Sequence, residues 1–286
     1  MTAFPPAPRR VQGVREFVDH FDIFLLDAWG VIHDGARLYP GAGDCLARLR
    51  QSGKRLIILS NSARREAEAY VTLREVGLPD GLIERVFNSG SLCRDRVATG
   101  QFGSTCLAIS NDGPFPWLLD DSPIQRTENP DLAAFLLVTS LPGAAPTVKD
   151  FDNILDPALA RDLPLVCANA DKVAIMNGQR RPCPGALADR YAARGGTVHR
   201  FGKPYADIYD ACFDDLGPVQ KDRVLVIGDS FDTDIPGAAN SGLQNVFITS
   251  GIHQDILGDN PTADQVAAFC AARSQWPSFS LARLVW

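Results

Sequence analysis

Short, nearly continuous apolar runs recur along the chain, and four of them end on small or polar residues. Ile23–Leu26 (IFLL) leads into Asp27, Leu56–Leu59 (LIIL) into Ser60-Asn61, Val224–Ile227 (VLVI) into Gly228-Asp229, and Asn245–Thr249 (NVFIT) into Ser250-Gly251. Runs of this length without polar alternation mark strands covered on both faces, as in parallel sheets. Between them, Asp44–Leu49 (DCLARL) follows the turn YPGAG, and Ala63–Val76 is rich in Ala, Glu and Arg; both read as helices. This alternation predicts an α/β fold with a doubly wound parallel sheet.

The middle of the chain has its own set of runs. Cys106–Ser110 (CLAIS), Ala134–Thr139 (AFLLVT) and Leu165–Ala168 (LVCA) are strand candidates, separated by loops rich in Pro, Asp and Gly. They predict a smaller α/β domain over 102–194, inserted into a core made of 1–101 and 195–286. Ligands of open α/β sheets bind beyond the carboxyl ends of the strands. Three core strands deliver Asp27, Ser60-Asn61 and Asp229 there.

Composition narrows the function classes. The 286 residues are 45% hydrophobic and 22% charged, ordinary for a globular chain, and the net charge of −6 argues against a nucleic-acid partner. No stretch reaches the ~18 apolar residues of a membrane span, and the Pro-rich, then basic start MTAFPPAPRR is not expected to act as a secretory leader. The expectation is a cytoplasmic protein without a membrane partner. The seven cysteines are scattered without a C-x-x-C pair, so reduced, buried thiols are expected rather than disulfides or zinc ligands.

Four motifs follow one another: Asp27-Ala28-Trp29-Gly30-Val31, Ser60-Asn61, Gly202-Lys203-Pro204, and Gly228-Asp229-Ser230-Phe231-Asp232-Thr233-Asp234. Together they resemble the haloacid dehalogenase-like superfamily, from about residue 20 to about 253. The run IGDSFDTDIPGAANSG (227–242) is the most specific piece, and the insert resembles the cap of the NagD-like, class IIA branch. The resemblance implies a Rossmann-like core, a magnesium-dependent hydrolase and a small phosphorylated substrate. Asp27 would be the nucleophile, with Ser60, Asn61 and Lys203 binding phosphate. Asp27, the Trp29 carbonyl, Asp229 and Asp234 would hold the metal.

The chemistry is sound on its own terms. A carboxylate nucleophile splits hydrolysis into two easier steps through an aspartyl-phosphate. It faces a dianionic ester, so a hard cation with oxygen ligands must screen the repulsion. Taken singly, each residue also fits a structural role: Asp27, Ser60 or Asp234 as helix caps, Lys203 as a surface lysine.

The pattern breaks at Trp29. Phosphatases of this superfamily usually carry a second Asp there as general acid/base, a role worth ~10²–10⁴-fold that an indole cannot fill. Three readings stay open. The substrate has a good leaving group; another residue, His33 or Asp34, donates the proton; or the chain binds a phosphorylated ligand with little or no turnover. Dehalogenation is a weaker alternative, because that chemistry does not use the metal set. In the cap, Asn169-Ala170-Asp171 resembles the T-N-P-D segment without its Pro. The following stretch, Lys172–Arg181, reads as a specificity loop whose Arg180 and Arg181 could grip a second anionic group. Members of this branch often dimerise through their caps, so a homodimer is a further implication.

Overall fold

The computed structural model describes residues 7–111, 117–176 and 178–286. In chain order the strands are β1 (Arg9–Arg10), β2 (Ile23–Leu26), β3 (Arg55–Ser60), β4 (Arg85–Asn88), β5 (Thr105–Ile109), β6 (Gln125–Arg126) and β7 (Phe135–Val138). They continue as β8 (Leu165–Cys167), β9 (Val173–Met176), β10 (Gln179–Pro182), β11 (Val198–Arg200), β12 (Val224–Gly228), β13 (Gln244–Ile248) and β14 (Phe279–Leu281). The chain divides into two compact units, one of 1–60, 69–87 and 209–286, the other of 61–68 and 88–208. The second is wider at both ends than the 102–194 insert expected from sequence.

The larger unit holds a seven-stranded sheet in the order β1-β14-β13-β12-β2-β3-β4. Strand β2 pairs parallel with β12 on one side and with β3 on the other, with Leu26 opposite Ile227 and Ile58. The three strands that end on motif residues are therefore neighbours. Every residue of β2 and β12 is buried. Each apolar side chain so covered contributes about 1.5–3 kcal/mol, which explains why the sequence shows no polar alternation here. The chain leaves β2 toward β3 and later fills the other flank with β12, so the sheet reverses its direction of growth at β2. Such a switch point opens a crevice at the strands' carboxyl ends.

The smaller unit holds the sheet β11-β8-β7-β5-β6, whose strand pairs are all parallel. Alternate residues of β7 enter opposite cores. Leu136 and Val138 pack with Leu165, Leu187 and Tyr191, while Phe135 and Leu137 pack with Cys93, Leu118 and Val166. Within the stretch 172–181, expected to be a loop, residues 173–176 and 179–181 belong to the antiparallel pair of β9 and β10. The aromatic C-terminal stretch supplies β14 to the larger unit's own sheet, with Leu281 and Leu284 in its core. Trp117 is half-buried and donates its Nε1–H to the Ala63 carbonyl at 2.6 Å, while Phe115 lies outside the described residues. Among the described residues all seven cysteines are reduced and buried, and no helix is long and apolar enough to cross a membrane.

Candidate active site

Asp27 follows directly on β2, and its backbone N–H donates to the Ile227 carbonyl at 2.8 Å, which ties it to the end of β12. Asp229 follows β12, and Asp234 opens the helix Asp234–Asn240. One oxygen of Asp234 accepts the N–H groups of Asp229 and Ser230, each at 3.1 Å, closing the loop on itself. One oxygen of Asp229 accepts the Ile252 N–H at 2.6 Å, from the loop after β13. A ligand oxygen from each of Asp27, Asp229 and Asp234 lies within 4.8 Å of the other two, with Asp229 and Asp234 buried and Asp27 half-buried.

Close approach depends on glycines. Gly30 has φ +90°, and a Cβ there would lie 2.0 Å from an Asp229 oxygen; one on Gly251 would lie 1.9 Å from the same atom. Three carboxylates so crowded repel one another by about 3–4 kcal/mol per pair at an effective dielectric near 20. A hard divalent cation with oxygen ligands relieves that repulsion, and the all-carboxylate set fits magnesium. The motifs gave no warning of the roles of Gly30, Gly251 and Ile252. The only signal was the fourth apolar run ending in Ser250-Gly251. Tyr39 is a further neighbour that sequence reading passed over. Burial raises its phenol pKa, and the charges of Asp229, Asp34 and Asp27 raise it further.

The loop after Asp27 is tightly wound. The Ala28 carbonyl accepts the N–H groups of Ile32 and His33, and Gly30 donates to the His33 carbonyl at 3.0 Å. Trp29 is 38% exposed, and its ring lies edge-on to His33 with centroids 5.6 Å apart. Gly35, at φ +92°, leaves room for the indole, since a Cβ there would come within 2.3 Å of it. His33 is buried, and its Nδ1 accepts the Gly35 N–H at 3.0 Å. Burial lowers its pKa to about 4, with Asp34 opposing weakly. The ring is then neutral near pH 7 and carries no acidic proton of the kind expected of a substitute acid. Asp34 spends one carboxylate oxygen on the Ala36 and Arg37 N–H groups, both at 2.9 Å.

The remaining predicted residues come from other elements. Ser60 ends β3 in the larger unit, half-buried. Asn61 begins the smaller unit and clamps Lys203. Its side-chain oxygen accepts the Lys203 N–H at 2.7 Å, and its amide donates to the Lys203 carbonyl and to Asp171, both at 2.9 Å. Of the two Asn61 groups that could meet phosphate, the side-chain amide is thus committed to holding the lysine's main chain, which leaves the backbone N–H. Lys203 itself is only 2% exposed. Asn169 accepts the Asp171 N–H at 2.9 Å, which shapes the turn carrying Asp171. Arg180 and Arg181 are adjacent on β10, so their side chains leave opposite faces and do not form one fork. Arg181 is taken up by the Ala144 carbonyl and, at 3.0 Å, by Gln179, while Arg180 is exposed.

A profile of the haloacid dehalogenase-like hydrolase family matches residues 24–116, and a HAD-hydrolase-like profile matches 200–270. A crystal structure of a haloacid dehalogenase-like hydrolase from Brucella suis is 30% identical, with TM-score 0.84, covering 96% of this chain and 100% of that one. The chain belongs to the haloacid dehalogenase-like hydrolases. Among its relatives in this family, 4-nitrophenylphosphatase of Schizosaccharomyces pombe is 24% identical over 273 residues, covering 84% of this chain and 88% of its own. The fold is also that of glycerol phosphate phosphatase from Mycobacterium tuberculosis in complex with magnesium. That structure has TM-score 0.66 and 20% identity, covering 92% of this chain and 76% of that one. These relatives fit the NagD-like, class IIA branch that the insert suggested.

Proposed function

We propose that this hydrolase removes phosphate from a small phosphorylated metabolite, using magnesium and an aspartyl-phosphate formed on Asp27. The observation that carries the reading is the carboxylate triad at the ends of two adjacent parallel strands. An Asp27 carboxylate oxygen attacks phosphorus, and the bond to the ester oxygen breaks, with the leaving group taking the electron pair. Water then attacks the acyl phosphate, releasing inorganic phosphate and restoring the Asp27 carboxylate. Magnesium, held by Asp27, Asp229, Asp234 and the Trp29 carbonyl, would supply charge neutralisation at the phosphoryl oxygens. Ser60 and the Asn61 main chain donate to the phosphate, and Lys203 adds a positive charge.

With Trp29 in the acid's place and His33 neutral, leaving groups that depart without a proton are favoured, so aryl and acyl phosphates should outrun alkyl phosphates. The 102–194 insert is the specificity cap in this reading, with Asn169, Asp171 and Arg180 selecting the leaving group. Arg181 is left to hold the hairpin. A panel of phosphorylated metabolites and aryl phosphates, assayed for phosphate release with magnesium and with EDTA, tests the proposal. Release that requires magnesium supports it. Tight binding of panel members without release would favour the second reading, a phospho-ligand binding protein, for which the indole of Trp29 is the supporting feature.

A further inference from the structure

A second concavity lies wholly within the smaller unit. Strand β11 is the terminal strand of its sheet, and beside it opens a cavity of about 310 Å³. Arg96 comes from the last turn of the helix Ser89–Ala98, and Phe102 from just beyond it. His199 and Arg200 come from β11, and Phe201 and Tyr205 bracket the Gly202-Lys203 turn. No acidic side chain lines the cavity. Arg200 pairs with Asp189 at 2.9 Å, but that carboxylate is shared with Lys172 at 3.2 Å. Among the described residues, no ion pair or side-chain hydrogen bond engages the exposed Arg96. The locality therefore carries excess positive charge that the protein itself does not neutralise.

Its walls are aromatic. The rings of Phe102 and His199 lie 4.9 Å apart at 54°, and Phe102 is backed by Phe135 at 5.8 Å. Tyr205 is 40% exposed. Arginine forks suit phosphate, and exposed ring faces accept a flat heterocycle. The volume falls at the small end of the range for small-molecule sites. We propose that this cavity binds a small anion bearing an aromatic ring, of the mononucleotide class, at Arg96 and Arg200 with the ring against Phe102 and His199.

Adenosine 5′-monophosphate is the probe, titrated by calorimetry into the full chain in EDTA, with adenosine and inorganic phosphate as separate arms. The proposal expects saturable binding of the monophosphate and roughly tenfold or weaker binding of either fragment. Arg96→Glu should weaken monophosphate binding by roughly tenfold or more, since it reverses the charge that meets the phosphate. His199→Ala should weaken it while leaving phosphate binding alone unchanged. Both residues are exposed, and magnesium-dependent hydrolysis of 4-nitrophenyl phosphate and the melting temperature should stay at wild-type values in both variants. Three results would overturn the proposal: no saturable binding, binding that Arg96→Glu leaves unchanged, or phosphate binding as tightly as the monophosphate.

Discussion

Trp29 sits two residues after the candidate nucleophile, where the family's phosphatases usually carry an acid, and its indole is held in place by Gly35 and His33. The physical consequence is a site without a proton donor at that position. Trp29→Asp should raise turnover of alkyl phosphates by up to ~10²–10⁴-fold and change aryl phosphates little, measured as kcat/KM across leaving groups of graded pKa. A flat dependence on leaving-group pKa in the native protein would mean that some other group donates the proton. His33 makes a separate, pH-dependent prediction. Its imidazole stays neutral in the folded chain down to about pH 4, against 6.5 when unfolded. Its contribution to stability is therefore complete above about pH 6.5 and is lost as pH falls toward 4, by up to about 3 kcal/mol. Melting temperatures over that window should fall less steeply in His33→Asn. An identical slope would show that other groups set the acid sensitivity.

At the scale of elements, β2, β3, β5, β7, β8, β12 and β13 were legible because their burial leaves nearly unbroken apolar runs, and Asp27, Ser60 and Asp229 were legible because they end those runs. The hairpin of β9 and β10 was not, because both strands are exposed or half-buried and the polar β10 (QRRP) gives no partner run to the apolar β9 (VAIM). The same alternation separates Arg180 from Arg181. Arg180→Ala should change the ranking of substrates, whereas Arg181→Ala should lower stability and leave the ranking intact, read by kcat/KM profiles and melting curves. Nor could the sequence show that Asn61 clamps Lys203, since 142 positions separate them. The glycines around Asp229 were equally hidden, because a glycine's purpose is visible only when its neighbour is known. Gly251→Ala should displace Asp229 and raise the magnesium concentration needed for half-maximal activity by roughly tenfold or more. An unchanged magnesium requirement would mean that the Asp229 carboxylate does not need that approach.

On the scale of the whole molecule, the chain carries two parallel α/β units and the order of motifs of the haloacid dehalogenase-like hydrolases. The second unit extends to 88–208 because the helix Ser89–Ala98 and strand β11 pack into its cores and sheet. Sequence marked the insert by its loops, and loops do not reveal which flanking elements it recruits. The central claim concerns one bond, that between phosphorus and an oxygen of Asp27. It is tested most directly by quenching turnover of an aryl phosphate with borohydride, which reduces an aspartyl-phosphate to homoserine, and locating the change by peptide mass. The account predicts homoserine at position 27, formed only with magnesium and substrate present and absent from Asp27→Asn. Substrate turnover with an unmodified Asp27 peptide, or homoserine at another aspartate, would contradict it.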